Sequence, residues 1–320
     1  MSDYLDLLKY GQDSVDDFNA VIEKQLAKAW LESYKQVDTE LAAFMGRFGD
    51  LEDAQKYNRL AALKDSIAAE FKTLTGQAIK DTTATSTNAV TTSFESTWFG
   101  MEKSIGADLN FGVLPVDAIR ASVFSELSGA DFATRFGKLY SGTVDKIAET
   151  ITRAMATGQG YAKTATQIKE IWQNSFYQAI RVIRTESARN YSEGALMAYE
   201  RAESQGIEGA KTWLATRDGR TRDSHARLNG VAADKKGYFY IDSDKAKAPA
   251  MFSQPENSIN CRCTTYYKLK GYEQDYAPDW TYKEWKAEFG DWKKLPNKRV
   301  KQYGNAKNVS DAQKLSTKNY

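Results

Sequence analysis

Between residues 15 and 45 the apolar side chains Phe18, Val21, Ile22, Leu26, Ala29, Trp30, Tyr34, Val37 and Leu41 recur every three or four positions. An α-helix returns side chains to one face at that interval, so the stretch predicts a long amphipathic helix with one buried stripe. Residues 51–74 repeat the pattern through Ala54, Tyr57, Leu60, Ala61, Leu63, Ile67 and Phe71, with Gly46 and Gly49 as turn residues between the two runs. A striped helix must bury its stripe against another element. The first third is therefore expected to be mostly a helical hairpin.

After Leu74 the pattern loosens. Asp81-Thr82-Thr83-Ala84-Thr85-Ser86-Thr87-Asn88, then Thr91, Thr92 and Ser93, are polar and β-branched, with middling helix propensity. They read as a linker or as a helix completed by tertiary contacts, the second being preferred. The aromatic patch Phe94, Trp98, Phe99 and then Phe111-Gly112-Val113-Leu114-Pro115 reads as an irregular crossing. Helical signals return at 116–127 and 142–156, and again from Thr164, a candidate N-cap after the break Gly158-Gln159-Gly160-Tyr161, through Trp172. Residues 176–204 read as one long helix with Ile180, Ile183, Ala188, Tyr191, Ala195, Leu196 and Tyr199 facing the core. Beyond Gly206, residues 211–216 and 263–269 are strand-like, with 237–241 a weaker third candidate. The fold class is α+β: a mostly helical N-terminal half, and a C-terminal domain of long helices plus a small antiparallel sheet.

With 320 residues, 42% of them hydrophobic and 12% aromatic, the chain can bury a core and has room for two domains, which excludes wholesale disorder. No apolar run approaches the roughly 18 residues of a membrane helix. Met1-Ser2-Asp3-Tyr4 begins neither a basic nor an apolar signal region, so a soluble protein made in a cytoplasm is expected. The net charge of +2 hides an asymmetry: residues 1–135 hold 13 basic and 21 acidic residues, while 136–320 hold 31 and 21. Three regions follow: an acidic helical domain over 1–135, a second domain over 136–270, and an aromatic helix with a basic tail over 271–320. In the last, Thr281-x-x-Glu284 is a capping box, Trp285, Phe289 and Trp292 share a face, and Gly290 is placed to stop the helix. Residues 281–320 carry 10 basic and 4 acidic side chains. Lys283, Lys286, Lys293, Lys294, Lys298, Arg299 and Lys301 are candidates for contact with DNA phosphate, against the plainer reading of a docked helix and a solvated tail.

Chemistry-bearing residues concentrate between Arg184 and Cys263, where the single histidine, His225, and both cysteines, Cys261 and Cys263, are found. His225 could serve as a general acid or base oriented by Asp223, but no nucleophile elbow and no second histidine completes a triad. His225, Cys261 and Cys263 have the chemistry of zinc ligands. Structural zinc sites want four ligands and show C-x2-C or H-x3-H spacing. The C-x-C side chains, moreover, are assigned here to opposite faces of a strand. No metal, cofactor or catalytic residue is therefore expected, and the thiols are read as reduced core residues, because a C-x-C disulfide ring is strained. Glu186 and Asn190, four apart, share a helix face, and with Arg184 and Thr185 they are expected to bond to the loops that follow. Asp218 is expected to accept backbone donors in a turn capping a short helix, and Asn229-Gly230 to turn the chain. There is no Gly-rich phosphate loop.

The ordered set Arg184-Thr185-Glu186, Asn190, Gly194, Trp213, Thr216, Asp218, Arg220-Thr221, His225, Asn229-Gly230, Asn260-Cys261-Arg262-Cys263 closely resembles the phage head morphogenesis family called Mu F-like, the minor head proteins of tailed bacteriophages. The resemblance covers about residues 140–270. Several members carry Cys at the places of Arg222 and His225, and His-Pro-Asn-Cys before the final Arg-Cys, a set that looks like four metal ligands. Here Arg222, His225, Ser258 and Cys261 stand at those places, so two ligands are missing and a metal role is not carried over. The resemblance implies a structural protein of the virion interior, not an enzyme, made in the bacterial host cytoplasm. Its implied partners are the portal protein, scaffold or major capsid protein, and double-stranded DNA bound non-specifically. Its implied work is procapsid assembly and DNA packaging or genome delivery, including ejection with the DNA. The rival from another class is a zinc-dependent hydrolase or nuclease, or a host-delivered effector, centred on His225, Cys261 and Cys263.

Overall fold

A computed structural model of the chain describes residues 3–47, 53–110, 112–127, 129–272 and 284. Its helices are α1 (Asp3–Gly46), α2 (Asp53–Ile105), α3 (Val116–Val123), α4 (Phe132–Thr157), α5 (Tyr161–Ser204), α6 (Asp223–Arg227) and α7 (Pro255–Ser258), and its strands are β1 (Gly209–Leu214), β2 (Phe239–Ile241), β3 (Asp244–Ala246) and β4 (Thr264–Leu269). The chain forms two compact units, each assembled from separate stretches. The first comprises Met1–Ala20, Thr82–Ala130 and Ile183–Tyr320, and the second Val21–Asp81 and Asp131–Val182. The fold is α+β, dominated by helices, with β1 and β4 forming a small antiparallel sheet.

The buried positions of α1 are Tyr4, Leu8, Gly11, Val15, Asn19, Ile22, Leu26, Trp30, Ser33, Val37, Leu41 and Phe44, a single stripe at helical spacing. This register leaves two expected core residues, Phe18 and Val21, 37% and 52% exposed. They sit one step off the stripe. On α2 the stripe settles at Leu63, Ile67, Phe71 and Leu74, while Tyr57, also expected inside, is exposed. Gly46 ends α1; Gly49 lies outside the described residues.

The second unit is held by large aromatics. The Phe71 ring of α2 meets Trp172 of α5 edge-on at 4.7 Å between centroids, and Trp30 of α1 meets Phe71 edge-on at 6.3 Å. Both indole N–H groups are satisfied in the interior: Trp172 donates to the Trp30 carbonyl and Trp30 to Ser175 Oγ, each at 3.0 Å. Asp131 caps α4 by accepting the Thr134 N–H at 2.7 Å, and Gly158 closes it in the left-handed region at φ 66°. Thr164 is not a cap as expected. The helix α5 begins at Tyr161 and runs unbroken to Ser204, so the Thr164 hydroxyl lies inside it and donates to the Gly160 carbonyl.

The first unit packs by a different means. The Thr- and Ser-rich run is the middle of α2, with Thr82, Thr85, Ser86, Ser93 and Thr97 buried. Some hydroxyls return to the backbone of their own helix, as Thr85 does to the Thr82 carbonyl at 3.1 Å. At Gly194 α5 comes close to α2. A Cβ on Gly194 would stand 2.2 Å from the Val90 carbonyl oxygen and 2.9 Å from the Phe94 nitrogen, so only hydrogen fits. The aromatic patch is corrected as well: Phe94 and Trp98 are buried, stacked neighbours on α2 rather than part of an irregular crossing.

Strands β1 and β4 pair antiparallel from Gly209↔Leu269 to Leu214↔Thr264, and β2 with β3 forms a three-residue hairpin that the sequence pattern did not disclose in full. Tyr199 of α5 stacks on Tyr267 of β4 at 4.9 Å and shares a hydrogen bond with Thr265, which fixes the sheet on the helix. Among the described residues no helix is long and apolar enough to cross a membrane. The expected aromatic helix with Trp285, Phe289 and Trp292, and the phosphate-contact candidates Lys283, Lys286, Lys293, Lys294, Lys298, Arg299 and Lys301, lie outside the described residues.

Candidate functional site

Arg262, in the run leading into β4, clamps Asp218 with two parallel hydrogen bonds of 2.6 and 2.8 Å. Asp218 also accepts the backbone N–H groups of Arg220 and Thr221 at 2.9 and 3.0 Å, the local turn that a short acidic side chain favours. Burial alone would raise this carboxyl; the hydrogen bonds and charge of Arg262, with Arg220 adding, overcome it and pull the group down to about 2. The Thr221 hydroxyl donates to the Thr216 carbonyl, and the Thr216 hydroxyl to the Arg262 carbonyl at 2.7 Å. Gln12 of α1 donates to that same carbonyl at 2.6 Å. Asp218 thus organises the turn before α6, although the N-cap position of α6 itself is Arg222.

Arg184, Thr185, Glu186 and Asn190 lie on α5, where the Thr185 hydroxyl accepts the Asn260 N–H at 3.3 Å. Asn260 is left-handed at φ 55°, which turns the chain toward Cys261. Glu186 is buried and forms a 3.0 Å ion pair with Arg189, a residue the sequence reading missed. Arg189 goes on to donate to Ser125 Oγ and to the Ser122 carbonyl, while Asn190 accepts from the Ser122 hydroxyl at 2.8 Å. This half of the motif therefore secures the end of α3, which precedes it, as well as the loop that follows. The signal for Arg189 was present as an i, i+3 partner of Glu186.

Trp213 of β1 is fully buried at the centre of an aromatic shell, with Phe239 at 5.2 Å, His225 at 5.4 Å and Phe252 at 6.1 Å. Its backbone accepts from Gly230 and donates to Val231, both at 2.9 Å. Gly230 is left-handed at φ 78° and Asn229 Oδ1 accepts the Ala215 N–H, so Asn229-Gly230 turns the chain back on β1 as expected. Against this shell stand the buried His225, Cys261 and Cys263. His225 Nδ1 lies 3.5 Å from Cys261 Sγ and 3.6 Å from Cys263 Sγ. The hydrogen bond from Cys263 holds Cys261 well below the usual thiol range, with His225 and Arg222 adding, and the same bond drives Cys263 up.

One sequence expectation is overturned by this geometry, and one possibility raised from the sequence is not realised. Side chains two apart in extended chain lie on the same side, not on opposite faces, and both thiols indeed reach one imidazole. Asp223 does not orient His225; its carboxylate pairs with Arg227 at 2.8 Å. The four-ligand pattern of the resemblance does not fit, because the Arg222 guanidinium donates to the Ile259 carbonyl and the Ser258 hydroxyl to the Phe252 carbonyl. What the residues do offer is a buried Cys-Cys-His set beside a hydrogen-bonded frame.

Residues 145–266 match the family model described as Phage Mu protein F like protein. The chain is 25% identical over 267 residues to Minor head protein GP7 of Bacillus phage SPP1, covering 80% of this chain and 85% of that one. It is 29% identical over 244 residues to NAD(+)–arginine ADP-ribosyltransferase EFV of Enterococcus faecalis, covering 76% of this chain and 50% of that one, so it spans half of that relative's length. An uncharacterised protein of Haemophilus influenzae is 29% identical over 131 residues, covering 41% of this chain and 26% of that one. No solved structure matches. The matched span encloses the whole motif network from Arg184 to Cys263, and over it the chain is similar to the Mu F-like minor head proteins.

Proposed function

We propose that this chain is a minor capsid protein acting inside the head of a tailed phage, at the portal vertex, in procapsid assembly and in DNA packaging or genome delivery, and that it leaves with the DNA. The observation that carries the reading is the similarity to the SPP1 minor head protein over most of both chains. The described site supports a structural role: Arg262, Asp218, Arg189, Asn190 and Thr185 spend their polar groups on fastening turns and helix ends. The portal protein is the first partner, with scaffold or major capsid protein as further contacts. The basic residues Lys283, Lys286, Lys293, Lys294, Lys298, Arg299 and Lys301 would meet packaged DNA through phosphate alone, an interaction that weakens steeply with salt.

Mass-spectrometric counting of the chain in procapsids, mature virions and emptied particles tests this. Presence in the first two and loss from the third is expected; absence from all three would sink it. For the DNA contact, full-length protein and protein ending at residue 280 are compared across a salt titration, and equal affinities would remove that part.

A second reading, a host-delivered effector, is favoured by the similarity to the Enterococcus faecalis transferase. The transferase activity is named for that protein, and this chain spans half of it. Incubation with NAD+ and an arginine-rich acceptor separates the readings: transfer of ADP-ribose would make this chain an enzyme, and none is expected. Neither relative's name is that of a zinc hydrolase or nuclease.

A further inference from the structure

A neutral imidazole offers one site at Nδ1, a lone pair or a proton in the ring plane. Two sulfurs stand nearly equidistant from it, at 3.5 and 3.6 Å, so both face the same in-plane position of the ring. A cation between the three atoms satisfies all at once. For a tetrahedral ion with metal–sulfur and metal–nitrogen bonds of about 2.3 and 2.05 Å, sulfur and nitrogen ligands stand about 3.6 Å apart, the spacing seen here. All three donor atoms lie within 4.8 Å of one another and all three residues are buried.

The surroundings fit the same ion. Two thiolates and a neutral imidazole around a divalent cation make a unit of zero net charge, which an apolar shell of Trp213, Phe239 and Phe252 tolerates far better than a bare thiolate. The four-position pattern of the Mu F-like resemblance is not what is rebuilt: Arg222 and Ser258 are committed to carbonyls, and Cys263 enters in their stead.

We propose that His225 Nδ1, Cys261 Sγ and Cys263 Sγ bind one soft divalent cation of the zinc class, as a clasp fastening α6 to the run into β4. Three protein ligands leave the fourth position to water or a small anion. The clasp rests on the local geometry alone and stands apart from the head-protein reading.

The test uses the full chain, purified in reducing buffer without chelator. Metal is counted by plasma mass spectrometry, then exchanged for cobalt(II) so that thiolate-to-cobalt absorption in the near ultraviolet and the visible bands of a tetrahedral ion can be read. About one ion per chain is expected, with both absorptions present, and the near-ultraviolet band falling by about half in Cys263→Ser. Fewer than about 0.1 ions per chain together with no thiolate-to-cobalt band would overturn the proposal. A full-strength band in Cys263→Ser would overturn the ligand assignment. Far-ultraviolet circular dichroism identifies a variant that has failed to fold, in which case the native chain decides.

Discussion

Phe71 and Val90 lie on the same helix, yet the helix is gripped in opposite ways around them. In the second unit Phe71, Trp30 and Trp172 fill space with large rings at edge-on distances. In the first unit α2 and α5 meet by leaving space out, where Gly194 lies against Val90, Ser93 and Phe94. The difference teaches that a polar, small-residue run can be as thoroughly interior as an aromatic stripe. Dispersion depends on how closely atoms approach as much as on how large they are. A filled interface is sensitive to loss of volume, and a close-approach interface to its gain.

The largest effect is expected where volume is removed from the filled interface. Trp172→Ala deletes a 2% exposed indole with its bond to the Trp30 carbonyl and its edge contact with Phe71, and should cost about 3–5 kcal/mol in urea unfolding. A cost under about 1 kcal/mol would show that the aromatic unit adds little to stability. Adding one methyl group to the other interface comes next. Gly194→Ala meets a backbone oxygen rather than a side chain that can move aside, so α2 and α5 must part, at roughly 1–3 kcal/mol.

Acid should act on the first unit through Asp218, whose carboxyl is pulled from the ordinary 3.8 down to about 2. A depressed folded-state value stabilises the protein above the unfolded-state value, and that contribution is lost as pH falls through the window from about 4 to about 2. The carboxylate is 28% exposed, so solvent screening trims the effect to about 1–2 kcal/mol. It is measured as the stability difference between the native chain and Asp218→Asn, which should shrink across that window; a constant difference would place the role of Asp218 elsewhere. The smallest effect has the opposite sign. Gly142→Ala in α4, where a new Cβ meets nothing within 4 Å, should stabilise by about 0.5–1 kcal/mol. Destabilisation by both glycine variants would mean that helix crowding is not what singles out Gly194.

Much of the frame is legible in the order of residues along the chain. The series Ile22, Leu26, Trp30, Val37, Leu41 marks α1, and Ile183, Tyr191, Ala195, Leu196 and Tyr199 mark the inner face of α5. Phe18, Val21 and Tyr57 depart from expectation because periodicity marks a wide apolar band, and the partner decides which edge of it is covered. Phe94 and Trp98 look irregular in sequence because the helix-neutral run before them hides the continuity of α2. Within the site, the order of the motif residues is legible, and so is the Asn229-Gly230 turn. Arg189, Gln12 and the bond from Asn19 to Ser187 are not, since they join positions far apart in the chain or hide among ordinary polar residues.

The chain's own sequence determined what local physics can determine: helix faces from spacing, breaks from glycine, a family signature from ordered residues, and the scarcity of histidine and cysteine. Tertiary structure alone decided that Gly194 lies against Val90, that Arg262 closes on Asp218, and that both cysteines of a C-x-C run reach the same imidazole nitrogen. Backbone propensity acts over a few residues and so can be read along the chain. Convergence of His225 with Cys261, 36 positions later, depends on how β1, α6 and β4 are packed around Trp213, and no local preference encodes that.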